Sequence, residues 1–280
     1  MSRLLIVTAD DLGLTAGVCR AVRRGHLEGI VTATTLLAVG RAFDAAAAML
    51  RDTPTLDVGA HLALVGEDPP LLTAREVPTL VAARGGFPLS YRTVVARGLA
   101  GRIDPADVRR ELSAQLERVL GIGLPVTHLD THQHTHLWPA VARVVTDLAA
   151  EHSIPVVRLP ASRRRGPLGA GVGAFAALLA RRIRACGLTT TADYAGLDEA
   201  GALDLPALDR SLGGLARRGR PTAEINSHPG EAGDVDLRRF GWGYRWPDEL
   251  AMLTDPRART LVKGHGYRLG SFRDLAAAHR

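Results

Sequence analysis

Apolar side chains run unbroken from Leu4 to Val7 and then give way to Thr8-Ala9-Asp10-Asp11. A short run of this kind predicts a strand buried on both faces with a polar C-terminal exit. Thr15 is placed to cap a helix over Ala16 to about Glu28, closed by Gly29. Ile30–Ala38, rich in Thr and Val, predicts a second strand. An Ala-rich helix follows Gly40 as far as about Arg51, and Leu56–Leu64 predicts a third strand carrying His61. Strands alternating with helices in this way predict a parallel sheet covered by helices.

The rhythm breaks between about Gly66 and Gly101, where Pro69, Pro70, Pro78, Pro88 and the pair Gly85-Gly86 fall. An insertion of that length predicts an excursion over the mouth of a site, with a short helix inside it. Beyond it the pattern predicts a helix from Pro105 to about Leu120 capped by Asp104, a strand over Val126–His134, and a helix from Trp138 to about Glu151. A strand at Ile154–Leu159 and an apolar helix around Ala174–Ala185 come next. They precede a short strand near Ala192–Ala195, a helix over Pro206–Arg217 and a strand over Thr222–Ser227 that stops at His228-Pro229-Gly230. Late helices are expected at Pro247–Leu253 and Ser271–Ala278, either side of Leu261–Lys263. Neither a repeat nor a low-complexity linker divides the chain, so residues 1–280 read as one domain with an insertion at about 66–101 over the site.

Composition narrows the class. A chain of 280 residues, 46% hydrophobic and 23% charged, is ordinary for one α/β barrel and unlike a disordered protein. The net charge of +6 comes from arginines scattered along the whole length. The one dense run, Arg163–Arg165, adjoins Gly166-Pro167 and reads as a solvated loop, so no nucleic-acid partner is expected. Cys19 and Cys186 lie far apart and in no ligand spacing. The N-terminal apolar run is too short for a signal peptide, and no segment has the length of a membrane span. These features predict a cytoplasmic protein with reduced thiols.

The candidate chemistry sits where strands are predicted to end. Asp10 and Asp11 end the first, His61 the third, His132 the fourth and His228 a later one. In parallel α/β barrels that edge hosts the active site. One of the two aspartates can hold a cation while the other takes a proton. In Thr127-His128-Leu129-Asp130-Thr131-His132-Gln133-His134-Thr135-His136, the residues His128, Asp130, His132 and His134 share a parity and would line one face of an extended strand. A helical turn after His132 would instead align His132 with His136. Either geometry concentrates imidazoles, and imidazoles with a carboxylate make a metal site. Asp130 is placed to orient a ligating histidine through its other ring nitrogen. His228, held at the rim by Pro229-Gly230, suits a general acid. No phosphate-binding loop, dinucleotide fingerprint or G-x-S-x-G elbow is present.

At these residues the chain resembles the YdjC-like carbohydrate deacetylase family, which includes chitooligosaccharide deacetylases and a branch associated with hopanoid synthesis. The resemblance is carried by LLIVTADDLGL, GIVTATTLLAVGRAFDAA, VGAHLAL, THLDTHQHTHLWP, INSHPG and GYRLGSFRDL, in order along nearly the whole chain. Leu12 departs from the family's usual Phe, and residues from about 160 to 220 carry no shared motif. The resemblance implies a distorted (β/α) TIM-like barrel. It implies a divalent metal ion held by Asp11, His61 and His132, with Asp10 as base and His228 as acid. His128, His134 and His136, with Asp130, are then left beside the ligands or facing the substrate. His ligands favour zinc, whereas the family is commonly described with magnesium. The implied reaction is removal of an N-acetyl group from an amino sugar, or from an oligosaccharide or glycoconjugate containing N-acetylglucosamine. A deacylase acting at the same site on a lipid-linked or secondary-metabolite substrate, and a non-catalytic sugar-binding protein, are the alternatives. A homodimer is expected at the level of the family alone.

Overall fold

Both faces of the first strand are apolar because both are covered. β1 (Arg3–Leu12) is the spine of the sheet in the computed structural model, which describes residues 2–83 and 85–278. Arg84, within the predicted 66–101 excursion, and residues 1 and 279–280 lie outside the described residues. β2 (Ala33–Leu37), β3 (Asp57–Leu62), β4 (His128–Thr131) and β5 (Val156–Val157) follow on one side of β1. β7 (Thr222–Ser227) and β6 (Tyr194–Ala195) lie on the other, giving the order β5-β4-β3-β2-β1-β7-β6. β8 (Tyr267–Leu269) pairs with Arg3–Leu5 at the start of β1. Every pairing is parallel, and the sheet curls into a distorted TIM-like barrel. β5 and β6 do not pair. A single bridge from Val156 to Thr189 marks the gap.

Ten helices cover the strands: α1 (Ala16–Leu27), α2 (Phe43–Arg51), α3 (Tyr91–Leu99), α4 (Pro105–Leu120), α5 (Pro139–Glu151), α6 (Pro167–Ala185), α7 (Leu205–Arg218), α8 (Trp246–Thr254), α9 (Pro256–Gly264) and α10 (Phe272–Ala277) among the described residues. Thr15 caps α1 by accepting from the Val18 amide at 3.0 Å, and Asp104 caps α4 by accepting from Ala106 at 2.8 Å. Because successive strand residues point to opposite faces, Leu5, Val7 and Ala9 pack outward on the helices while Leu4, Ile6, Thr8 and Asp10 point inward. The interior is therefore layered. Its lower layer is apolar, with Leu4 and Ile6 packed against Phe272 and Leu275 of α10. Its upper layers become polar at Thr8 and Asp10 on β1 and at Glu224 and Asn226 on β7. The carboxyl ends of the strands thus deliver the chemistry to one rim, as expected of parallel barrels.

Three local expectations are corrected. The fourth strand stops at Thr131 and does not reach His134. His132–Leu137 forms a distorted short turn in which Gln133 (φ 50°) and His134 (φ 52°) adopt left-handed backbone, so neither strand parity nor a regular helical face governs the later histidines. The apolar helix begins at Pro167, about two turns earlier than its sequence pattern indicated, with Pro in the first turn where its missing N–H costs nothing. α9 and β8 were not anticipated between the two predicted late helices.

Candidate active site and metal centre

The pair Asp10-Asp11 works because the backbone turns between them. The pairing of β1 with β2 slips between Ala9 and Leu12, and Asp11 takes φ 62°, a left-handed conformation that Asp tolerates better than most residues. Asp10 keeps its inward direction, and Asp11 is swung toward the ends of β3 and β4. There its Oδ1 lies 2.9 Å from His132 Nδ1 and 3.2 Å from His61 Nε2, and the two ring nitrogens are 3.4 Å apart. Asp11 Oδ2 is buried with no partner.

This triangle fits a cation. Ligand atoms about 2.0–2.1 Å from a tetrahedral ion stand about 3.3 Å from one another. The orphaned carboxylate oxygen is a further donor with nothing to satisfy it. His61 Nδ1 is 2.8 Å from Asp130 Oδ1, the contact that fixes the tautomer of a ligating imidazole. Asp10, His61 and Asp130 also cluster closely enough to hold an ion. In that group, however, the guanidinium of Arg158 already sits on both carboxylates and supplies the positive charge. Of the two groups, the set Asp11, His61 and His132 is therefore the one whose donors could hold a metal ion without competing with a resident cation.

Electrostatics follow from this packing. Burial opposes the charge on His61, but Asp130 and Asp11 outweigh it and raise its pKa to about 10. Burial likewise opposes ionisation of Asp11, yet His132 and His61 hold it well below the usual carboxylate range. Asp130 is also held low against its burial, by Arg158 and His61.

Arg158, just beyond β5, is the residue that sequence reasoning missed. It is fully buried. Its Nη1 and Nη2 donate to Asp10 Oδ2 and Oδ1 at 2.7 and 2.8 Å, its Nε donates to Glu224 Oε1 at 2.7 Å, and Nη1 also meets Asp130. Such a fork suits Arg and not Lys. Three carboxylates share this one guanidinium, so the third is surplus: burial, with Asp10 and Asp130 adding to it against Arg158, raises the pKa of Glu224 to about 7. Asn226 Nδ2 donates to Asp10 Oδ2 at 3.1 Å and Thr35 Oγ1 to Asp10 Oδ1 at 3.2 Å. Asp10 is thus held by four donors. The available signals were a lone Arg ending the apolar run Val156-Val157, and Glu224 and Asn226 sharing a parity opposite Ala223 and Ile225.

His228 follows β7 directly. Its amide donates to Glu249, its ring lies 4.9 Å from that of Tyr244, and its Nε2 is 4.0 Å from Asp10 Oδ2. The other histidines separate. His134 lines the cavity and meets the Tyr194 hydroxyl at 3.4 Å, with burial and Arg158 holding it neutral. His136 is buried between Thr131 Oγ1 (2.7 Å) and the Arg158 carbonyl (3.1 Å), a brace for the loop and not a wall of the cavity. His128 lies a layer deeper, stacked on Phe272 at 3.7 Å, and burial lowers its pKa to about 3. It reaches neither the cation triangle nor the substrate space, because it sits two positions before Asp130 on extended strand.

A cavity of about 560 Å³ opens above these residues, with Asp10, His61, His132 and His228 at its inner end. Trp242 stands over His132 at 5.0 Å and is anchored by a 3.0 Å bond from its Nε1 to Glu67. Leu89–Tyr91, Val94 and Val95 of the 66–101 segment line the same space. A model of the family described as YdjC-like protein matches residues 4–264. The chain belongs to the YdjC-like family. Among its relatives, a chitooligosaccharide deacetylase of Citrobacter koseri is 33% identical over 276 residues, covering 98% of this chain and all of that one. A carbohydrate deacetylase of Brevibacillus brevis is 29% identical over 275 residues, 97% of this chain and 99% of the relative. The crystal structure of a protein of Enterococcus faecalis V583 superposes with a TM-score of 0.83 over 98% of this chain and 99% of that one, at 24% identity. That likeness supports the barrel. No helix of the described residues is long and apolar enough to cross a membrane, and both cysteines are free.

Proposed function

We propose that this YdjC-like protein is a metal-dependent deacetylase that hydrolyses the N-acetyl group of an amino sugar, alone or within an oligosaccharide or glycoconjugate. The observation that carries the reading is the triangle of Asp11 Oδ1, His61 Nε2 and His132 Nδ1, with edges of 2.9–3.4 Å, beside Asp10 and His228 at the inner end of one cavity. The family relatives named as deacetylases of carbohydrates support the substrate class. A divalent cation held there would supply Lewis acidity, polarising the acetyl carbonyl and easing deprotonation of the attacking water. Imidazole donors favour zinc, with magnesium the alternative.

The chain's own residues do the rest. Arg158, Asn226 and Thr35 hold the Asp10 carboxylate oriented to accept the proton of the attacking water. His228, across the cavity end from Asp10, gives a proton to the departing nitrogen, so water and amide become acetate and free amine. Asp130 keeps a proton on His61 Nδ1 and so leaves Nε2 free to ligate. Tyr244 and Trp242 wall the inner end from solvent. We place the reaction in the cytoplasm. The test is acetate release from N-acetylated chito-oligosaccharides before chelation, after it, and after return of zinc or magnesium. Loss on chelation and recovery on return is the expected result. Activity that survives complete metal removal contradicts the mechanism.

A further inference from the structure

The aspartate and histidines of the candidate centre lie at the inner end of the cavity. Its outer arm runs between α3 and α6 and is walled by Val94, Leu137, Trp138, Leu168, Val172 and Phe175. Several polar side chains on that arm are engaged with the protein. Gln133 accepts from the Tyr91 amide at 2.9 Å and donates to the Leu89 carbonyl at 3.0 Å. Ser162 donates to Asp198 at 2.7 Å, and Arg164 pairs with the same carboxylate. A second sugar ring in this arm could stack on Trp138 or Phe175, but most of its hydroxyls would face Val94, Leu137, Leu168 and Val172, which accept no hydrogen bond.

α6 is itself unusual. It is 19 residues long and apolar over most of its length, yet only Gly169, Leu179 and Ile183 of it are buried. A helix apolar on so many sides is normally enclosed. Among the described residues, four of the six large apolar side chains exposed to solvent are Leu89, Leu99, Leu168 and Leu178, which lie on α3 and α6 or at the entry to α3. The apolar arm therefore continues onto an apolar rim, the feature that marks a binding surface. Gly171 lines the arm, and a Cβ placed on it would meet nothing within 4 Å, so the groove is open there.

Resting on the deacetylase reading of the inner end, we propose that the substrate is an amphiphile: an amino sugar whose amide reaches the His–Asp centre while a hydrocarbon chain it carries lies along the arm between α3 and α6. The chain can enter as a group on the sugar's anomeric oxygen or as the acyl group itself. Burial of each methylene in such an arm adds to affinity in proportion to the apolar area covered.

The experiment is calorimetric titration of the metal-loaded full chain with matched pairs: methyl and octyl N-acetyl-β-glucosaminide, and N-acetyl- and N-octanoylglucosamine, all below their micellar concentrations. At least one octyl or octanoyl partner should bind tenfold or more tighter than its short-chain counterpart, and which pair shows it identifies where the chain is attached. Gly171→Leu, which adds bulk where space is open and favours helix, should cut that ratio to within twofold. Phe175→Ala should reduce it as well. Ratios under tenfold in both pairs overturn the proposal, as does a ratio that Gly171→Leu leaves unchanged. Acetate and octanoate release measured on the same samples separates the two claims. A preserved chain-length preference with no release of either acid refutes the deacetylase reading and leaves the apolar arm standing, whereas turnover without the preference does the reverse.

Discussion

Replacing Arg158 with Met removes the one cation that, among the described residues, touches Asp10, Asp130 and Glu224 together. All four side chains are buried, so the variant leaves three carboxylates in a low-dielectric interior with only hydrogen bonds and His61 to offset them. Breaking one buried pair costs about 3–5 kcal/mol, and a hub for three carboxylates should sit at or above the upper end of that range. That is a large share of the roughly 5–15 kcal/mol by which a folded domain is stable. The cost should depend on pH. Without Arg158 the folded-state pKa values of these carboxyls rise above their unfolded values. The folded variant then holds more protons than the unfolded chain, and its stability falls as pH rises from about 4 through the raised values. The deficit against the native protein is thus predicted to be largest near pH 8 and to shrink toward pH 5. Urea unfolding followed by circular dichroism at pH 5.5 and 8 measures it. A deficit under about 1 kcal/mol at pH 8, or one equal at the two pH values, would refute the reading of Arg158 as the charge hub of the site.

Glu224→Gln should act in the opposite sense. The native carboxyl titrates at about 7 when folded and near 4.5 when unfolded, so its contribution is a penalty that grows as pH rises from about 4.5 to 7. The variant should gain up to about 3 kcal/mol above pH 7.5 and nothing near pH 4.5, read from thermal midpoints across that range. Asp130→Asn should weaken metal affinity about 10–100-fold by releasing the His61 ring, as measured by competition with a chromogenic chelator. His228→Gln should lower kcat for acetate release about 10²–10⁴-fold while metal content stays stoichiometric; a parallel loss of metal would give His228 a different role. Gly59→Ala should destabilise the fold without touching the cavity. Its Cβ would stand 2.4 Å from His128 Nε2, whose ring is pinned against Phe272, and overpacking of this kind costs about 1–3 kcal/mol.

Much of the barrel was legible because its physical signals are local. Apolar runs ending in Asp or His marked β1, β3 and β7, and the caps at Thr15 and Asp104 lay where the residue types required. The histidine segment was legible as a cluster and not as a geometry. Left-handed backbone at Gln133 and His134 carries no signal in those residue types, and it is what parts His134 from the strand parity, and His136 from the helical face, expected to join them to His132. Arg158 was hidden for another reason. A lone arginine after two valines means nothing until the sheet brings β1, β4 and β7 around it. The apolar arm is likewise a property of two helices far apart in sequence, α3 and α6, that meet only at the cavity.

Anomalous diffraction at the zinc edge, from crystals of protein whose acetate release has been restored with zinc, tests the central claim most directly. The account predicts one strong peak within coordination distance of Asp11, His61 and His132, on the side of the unpartnered Asp11 Oδ2. A peak between Asp10 and Asp130, or active protein with no peak at this triangle, would contradict it.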